Sequence, residues 1–375
     1  MSNSNTNLSS INTVNRLEID WLAVRHNVLY FRAQLRPETK LLLMLKSDAY
    51  GNGDLALAKK LESENLVDYL AVFHISEGIQ LREAGIQLPI MVMHNEGVDY
   101  GVFKRNQLEL VVYKSSQLKS LLLEKDENIP AIHLKFNTGM NRLGIDEDEL
   151  PQLIAFLKEQ EGIEVKSVLT HLSSTKMEEE DAFTLNQLDQ FEAIANRLKP
   201  YLPSSVKRHA LNSHGIIRFP KHQYEMVRLG VGAYGGSDMN GLKDKLKPIA
   251  TFKTKISSLR RLSAGSSISY DRSGRLEEDA NIATIPLGYD DGIDRRLGNG
   301  NWEFEIGGKL YPSIGNVCMN LCMINLGDDT YDEGKEVLVF GGKRSIFDCA
   351  NLLKTISYEI MTAVGPKVER ILVND

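Results

Sequence analysis

Cysteine is scarce in this chain. Three residues, Cys318, Cys322 and Cys349, are spread over 375 positions, which excludes a disulfide framework. Cys318 and Cys322 have no histidine near them, so the pair reads as core packing rather than metal ligation. An excess of positive charge is also missing. The net charge of −6 argues against a nucleic-acid footprint. No apolar run is long enough to cross a bilayer. The first ten residues are rich in Ser and Asn, with neither a basic nor an apolar stretch. Residues 1–13 therefore read as a disordered tail rather than a signal peptide, which points to the cytoplasm. Internal repeats and long linkers are absent too. What remains, 42% hydrophobic and 25% charged, is ordinary for a globular chain.

The chain is long for one compact domain, although a barrel alone can hold about 250 residues. Over residues 14–248 short apolar runs alternate with helical patterns. Strands are expected at 40–46, 69–73, 89–93, 109–112, 131–136, 165–170, 207–211 and 226–229, with helices such as 54–65, 76–84 and 181–199 between them. Alternating β and α elements imply a parallel sheet. Eight units in this length favour a (β/α)8 TIM barrel, with an open doubly wound sheet as the alternative. From 249 to 375 strand-like segments follow one another, the first at 251–259, with one helix expected at 346–356. That part reads as a mostly-β C-terminal domain.

The densest signal is Lys46-Ser47-Asp48-Ala49-Tyr50-Gly51-Asn52-Gly53, directly after the apolar run 41–45. Burying a lysine at a strand end lowers its pKa and leaves a neutral, nucleophilic amine. On position alone, a lysine that snorkels into solvent fits as well. Tyr50 stands beside a glycine-rich turn that leads into a helix from Asp54, where a hydroxyl can meet a phosphate.

Barrel active sites lie at the C-terminal ends of the strands. The residues found there are Lys46, Lys135 with Arg142, His171, Ser213 and Arg228. Any one of them could be a structural polar group; together they are harder to dismiss. Residues 230–235 fit G-x-G-x-x-G, but they follow the eighth strand and no βαβ unit comes after, so a dinucleotide fingerprint is a weak reading. A phosphate held near Ser213, Gly230 and Val231 fits better, since barrels bind phosphate after strands seven and eight.

The spacing around Lys46 resembles the cofactor lysine motif of alanine racemases. Further matches follow in order: Thr138-Gly139-Met140-x-Arg142-Leu143-Gly144, Thr170-His171, Asn212-Ser213, Val227-Arg228-Leu229-Gly230, Ser269-Tyr270, Gly288-Tyr289-x-Asp291-Gly292, Gly315-Asn316-Val317-Cys318-Met319 and Tyr358-Glu359. The resemblance implies a pyridoxal phosphate (PLP) enzyme that interconverts L- and D-alanine and supplies D-alanine for peptidoglycan. It also implies a barrel plus a C-terminal β domain, with a first strand near 17–20 that packs with the latter.

By the same resemblance, Lys46 carries PLP, while Tyr50, Ser213, Gly230, Val231 and Tyr358 hold its phosphate. His171 lies at the cofactor site, and Arg228 faces the ring nitrogen. Arg142 contacts the phenolic oxygen and the substrate carboxylate, and Lys135 matches a lysine often carbamylated. Met319 lies beside the substrate and Tyr289 lines its entrance. Lys46 and Tyr270 are the two proton-transferring groups, with Tyr270 acting at the site of the partner in a head-to-tail homodimer. A Tyr270 base would need cationic neighbours, such as His171 and Arg228. Without the resemblance, Tyr270 reads as a packed β-domain tyrosine and Arg228 as a salt-bridged arginine.

Some positions depart from the family pattern. Ser47 and Asn52 stand where the motif has Ala and His. Asn137 and Asn320 stand where the family usually has Asp, and Asp290 where it has Ala. These bear on substrate preference and rate. A non-catalytic PLP-binding barrel protein and a racemase of broader specificity, such as for serine, are the competing readings. The segment 249–375 with Tyr270 argues against the first. No ligase region accompanies the chain, as it would in ligase–racemase fusions.

Overall fold

The computed structural model describes residues 14–375, except 96, 98, 122, 124–128, 160–162 and 240. The tail expected over 1–13 lies outside the described residues. Two compact units divide the chain. One comprises residues 23–247, and the other joins the start of the chain, up to residue 22, with residues 248–375.

The strand β1 (Arg16–Asp20) belongs to the discontinuous unit. The continuous unit is a barrel of β2 (Lys40–Met44), β3 (Tyr69–Val72), β4 (Ile90–Val92), β5 (Leu108–Val112), β6 (Ile132–Lys135), β7 (Val165–Leu169), β8 (Lys207–His209) and β9 (Met226–Leu229). All seven ladders are parallel, and β2 pairs with both β3 and β9. At the β8–β9 seam, where no ladder forms, the Arg228 N–H donates to the Leu211 carbonyl at 3.0 Å. The sheet is thus an almost closed (β/α)8 barrel, with every expected strand present. Its strands are buried nearly end to end, as both faces of a parallel sheet must be covered. Part of the barrel core is apolar, with Leu42, Tyr69, Ala71, Met91, Val111, Tyr113 and Met226 packed together. Burying a Leu, Met or Val among them contributes about 1.5–3 kcal/mol.

In the other unit, β10 (Ala250–Lys255) and β11 (Ser258–Leu262) replace the single strand expected over 251–259. The break has a simple cause. Ile256 N–H donates to Lys335 O at 2.9 Å, whereas Ser257 N–H donates to Thr284 O at 2.8 Å, so adjacent residues bond to different sheets. A two-stranded ribbon, β12 (Ser267–Ile268) and β13 (Gly274–Arg275), carries Tyr270 in its turn. The remaining strands are β14 (Ala280–Ile285), β15 (Glu303–Ile306), β16 (Lys309–Pro312), β17 (Cys322–Asn325), β18 (Glu336–Phe340) and β19 (Glu369–Val373). They form a six-stranded sheet ordered β16-β15-β18-β10-β1-β19 and a three-stranded sheet ordered β11-β14-β17. Strand β1 joins the C-terminal sheet as the resemblance implied.

The helix expected at 346–356 is capped by Ser345 and Asp348. It stops at Leu353, because Lys354 turns left-handed (φ 55°). The helix Ser357–Ala363 and strand β19 had no expectation. No described helix is long and apolar enough to cross a membrane.

Candidate active site

Lys46 follows β2, where the chain does something L-residues avoid. Ser47, Asp48, Ala49 and Tyr50 have φ of 51–59°, a left-handed turn that costs roughly 1–2 kcal/mol per residue. Local bonds hold it. Ala49 N–H donates to Leu45 O at 2.7 Å, and Gly53 N–H to Asp48 O at 3.0 Å. The Asp48 carboxylate accepts from the Asp54 N–H at 2.9 Å. The Asn52 amide donates to the carbonyls of Ala49 (2.8 Å) and Tyr50 (3.2 Å). From the next strand end, the Glu77 carboxylate accepts from the N–H groups of Ser47 (2.5 Å), Phe73 (2.8 Å) and His74 (2.9 Å). The turn folds Tyr50 back so that the Lys46 Nζ lies 5.7 Å from its ring centroid. Tyr50 packs on Tyr234, with ring centroids 4.9 Å apart. Its hydroxyl faces Gly230, where a Cβ would lie only 2.8 Å from it. A side chain there would displace the hydroxyl, so glycine lets Tyr50 approach this closely.

Cations converge on the same end of the barrel. Burial lowers the Lys46 pKa, and Arg142 lowers it further against the opposing effect of Glu77. Lys135, 5% exposed at the end of β6, is pushed down to about 8 by burial, then by Arg142, Arg228 and Lys46. Arg228 is buried on β9, and burial brings it down to about 10, which leaves it cationic. Its Nη1 donates to His209 Nδ1 (2.7 Å) and His209 O (3.0 Å), and its Nη2 to the carbonyls of Thr170 and Ala210 (2.7 Å each). Nη2 also lies 3.4 Å from His171 Nδ1. Its Nε–H has no partner among the described residues. Burial first, then the surrounding cations, holds His171 neutral, well below the usual histidine range.

Ser213 is buried, and its hydroxyl accepts from the N–H groups of Gly230 (3.0 Å) and Gly232 (3.2 Å). It thereby ties the start of the helix Ser213–Arg218 to the loop after β9 that contains Val231. Lys46, Tyr50, Lys135, Arg142, His171, Ser213, Arg228, Gly230 and Val231 all belong to the barrel unit.

The other four expected residues belong to the second unit and are all exposed: Tyr270 at 72%, Met319 at 55%, Tyr289 at 47% and Tyr358 at 38%. Three of them share a surface. Tyr289 N–H donates to Cys318 O at 3.1 Å, and Asp290 N–H to Met319 O at 3.0 Å. The Asn316 amide donates to Tyr270 O at 3.3 Å. Tyr358 sits on the helix Ser357–Ala363.

Residues 19–238 match the family model for the alanine racemase N-terminal domain, and residues 249–372 match that for the C-terminal domain. The chain belongs to the alanine racemase family. Alanine racemase 2 of Caldanaerobacter subterraneus is 31% identical over 370 residues, with 96% of this chain and 94% of that protein covered. The alanine racemase of Synechocystis is 33% identical over 369 residues, covering 95% and 98%. Among solved structures, alanine racemase from Clostridium difficile 630 superposes with a TM-score of 0.88 at 28% identity, covering 97% and 98%. That of Bacillus anthracis with bound L-Ala-P gives 0.86 at 28% identity, covering 95% and 94%.

Two departures from the racemase pattern acquire local partners. The Asn137 amide donates to Asp146 Oδ1 (2.9 Å) and Asn141 Oδ1 (3.0 Å), while its oxygen accepts from the N–H groups of Gly139 and Asn141. Asn320 lies 3.4 Å from the Asp290 carboxylate, which Lys367 also pairs with at 2.6 Å. Glu77 and His209 had no place in the expected site. Glu77 reads as a helix first-turn acid in the sequence, and His209 as one polar residue in a short strand, so only packing reveals them.

Proposed function

We propose that this protein interconverts L- and D-alanine with pyridoxal phosphate held by the barrel, supplying D-alanine for peptidoglycan in the cytoplasm. Lys46 of one copy and Tyr270 of a second copy are the proposed proton-transferring groups. The observation that carries the proposal is a cluster of cations at the strand ends, in which buried Lys135 feels Lys46, Arg142 and Arg228, and Lys46 has a lowered pKa. Such a cluster calls for an anionic partner.

The donor set suits this coenzyme. The glycine-permitted approach at Tyr50 and Gly230, together with Ser213 and Val231, offers a phosphate cradle, to which Tyr358 is added by family resemblance. Arg142 suits a phenolate and a substrate carboxylate. When bound, the coenzyme supplies the electron sink that acidifies the α-hydrogen of an amino acid joined to it.

The protein's own groups do the rest. Arg228 has both Nη groups committed, which leaves Nε–H as the donor for an aromatic nitrogen. A guanidinium holds its proton there, so Arg228 hydrogen-bonds without protonating. Neutral His171 adds no further charge, so it is not the cationic neighbour expected for Tyr270. Lys46 Nζ takes or returns a proton at Cα on one face, and Tyr270 Oη does so on the other. The exposed loops bearing Tyr270, Tyr289 and Met319 suit burial against a second copy, in which Tyr289 lines the substrate entrance and Met319 the substrate.

The test is α-deuterium wash-in from D2O with L-alanine, D-alanine and L-serine, with optical rotation followed in parallel. Exchange with loss of rotation from both alanine enantiomers is expected, and serine sets the breadth. Absence of exchange, with a borohydride-trappable coenzyme on Lys46, would replace the racemase with a PLP-binding protein.

A further inference from the structure

A chain of polar side chains crosses the barrel interior. Arg228 Nη1 contacts His209 Nδ1 at 2.7 Å, and His209 Nε2 contacts Ser167 Oγ at 2.8 Å. Ser167 Oγ contacts His133 Nδ1 at 2.7 Å, and His133 Nε2 contacts Glu109 Oε2 at 2.8 Å. The members come from five consecutive strands, β9, β8, β7, β6 and β5, and are all buried. At the far end the Tyr69 hydroxyl on β3 also bonds to Glu109.

The hydrogens in this chain follow from one end. Arginine has donors and no acceptor, so His209 Nδ1 must carry a lone pair and its proton must sit on Nε2. That Nε2–H donates to Ser167 Oγ. The serine hydroxyl then has one acceptor left among its contacts, His133 Nδ1, which puts the His133 proton on Nε2, aimed at the Glu109 carboxylate. With both imidazoles neutral, every donor meets an acceptor. A protonated His133 would instead leave the Ser167 hydrogen without one.

The electrostatics agree. Burial, then the Arg228 charge, holds His209 well below the usual histidine range. At Glu109, burial acts to raise the pKa, but the bonds from His133 and Tyr69 act to lower it, and it lies below the usual carboxylate value, so the carboxylate is ionised.

We propose that Glu109, His133, Ser167 and His209 form a relay with a single proton order that fixes Arg228, and that Glu109 and Ser167 are thereby positioning residues for the reaction. The function of the relay rests on the racemase reading; its proton order does not. A guanidinium anchored only by carbonyls is free to pivot in their plane. A directional bond to an imidazole that cannot change tautomer removes that freedom and leaves the Nε–H aimed one way. The Glu109 charge polarises each link toward the same order.

The test uses holoenzyme labelled with 15N in its histidine rings. Long-range 1H–15N spectra are expected to show His133 and His209 both as neutral Nε2–H tautomers. An imidazolium at either position, or a proton on His209 Nδ1, overturns the proton order without any variant being made. Ser167→Ala breaks the relay while leaving Arg228 its carbonyl partners. Its kcat is expected to fall about tenfold or more in both directions, with KM within about twofold. Glu109→Gln keeps an acceptor for His133 and should cost less than Ser167→Ala. If Ser167→Ala lowers thermal stability but keeps the wild-type kcat, the relay is only structural and the positioning role falls. A wild-type protein that does not racemise overturns the activity reading instead, and the histidine spectra still decide the relay.

Discussion

Asn137 and Lys135 show how single side chains set the charge of the site. Asn137 both donates and accepts within its loop, which a carboxylate cannot do. Asn137→Asp would place a second carboxylate against Asp146 and remove a donor. A loss of about 1–3 kcal/mol is expected in denaturant unfolding, and an unchanged midpoint would contradict this account. Lys135 works in the opposite sense. Its pKa is about 8 in the folded chain against 10.5 for the ordinary group, so the unfolded chain binds more protons between those values. Stability therefore rises with pH across that window, and below it the buried cation is destabilising by up to roughly 3 kcal/mol. In CO2-free buffer Lys135→Met should be more stable than wild type below about pH 8, with the gap closing toward 10.5. Adding bicarbonate should carbamylate the neutral amine (R–NH2 + CO2 → R–NH–COO⁻ + H⁺). A mass gain of one CO2 is expected in wild type and not in Lys135→Met.

Among the elements, the left-handed turn after β2 departs furthest from ordinary backbone. Four residues in an unfavourable region need an external hold, and Glu77 provides it by accepting from both strand ends. Glu77→Ala should release the turn. Amide exchange over residues 46–53 is expected to quicken, and kcat to drop more than the melting temperature does; unchanged exchange would remove Glu77 from this role. The sequence showed that Lys46 ends a strand and that a helix starts at Asp54, because apolar runs and glycines mark such boundaries. It did not show the turn between them, since Ser, Asp, Ala and Tyr carry no left-handed signature. The placement of Lys46, Lys135, His171, Ser213 and Arg228 at or near strand ends was legible for the same reason that the barrel was. Glu109, His133, Ser167 and His209 were not, because a polar residue facing the inside of a barrel looks the same in sequence as one facing water. The strand expected over 251–259 failed differently: two sheets meet there, and local pattern does not record a change of sheet.

For the whole molecule, the decisive prediction concerns two copies acting together. If Lys46 of one copy works with Tyr270 of another, Lys46→Ala and Tyr270→Phe dimers are each impaired. Mixing and refolding them should regain about a quarter of wild-type activity, because half the dimers are mixed and each mixed dimer holds one intact site. No gain would place both groups in one copy. The division of labour between a barrel and a β domain was legible from the change of pattern near residue 248. The membership of β1 came from family resemblance, since five residues ahead of a barrel do not announce their partners.

That small strand has a topological consequence. Asp20 N–H donates to Ile249 O at 2.8 Å, and Ile19 stands opposite Ala250 in the antiparallel ladder. Seen this way, β1 and β10 are the two arms of a hairpin, and the whole barrel is the loop inserted at its tip. On the ribosome, β1 emerges ahead of the barrel and has no partner until more than two hundred residues later. Its other neighbour, β19, comes after every other described strand. The barrel can close on nascent chain alone, whereas the six-stranded sheet of the other unit is complete only once residues 369–373 have been made. Truncation ahead of β19 therefore exposes the edge of β1, a strand far away in the sequence.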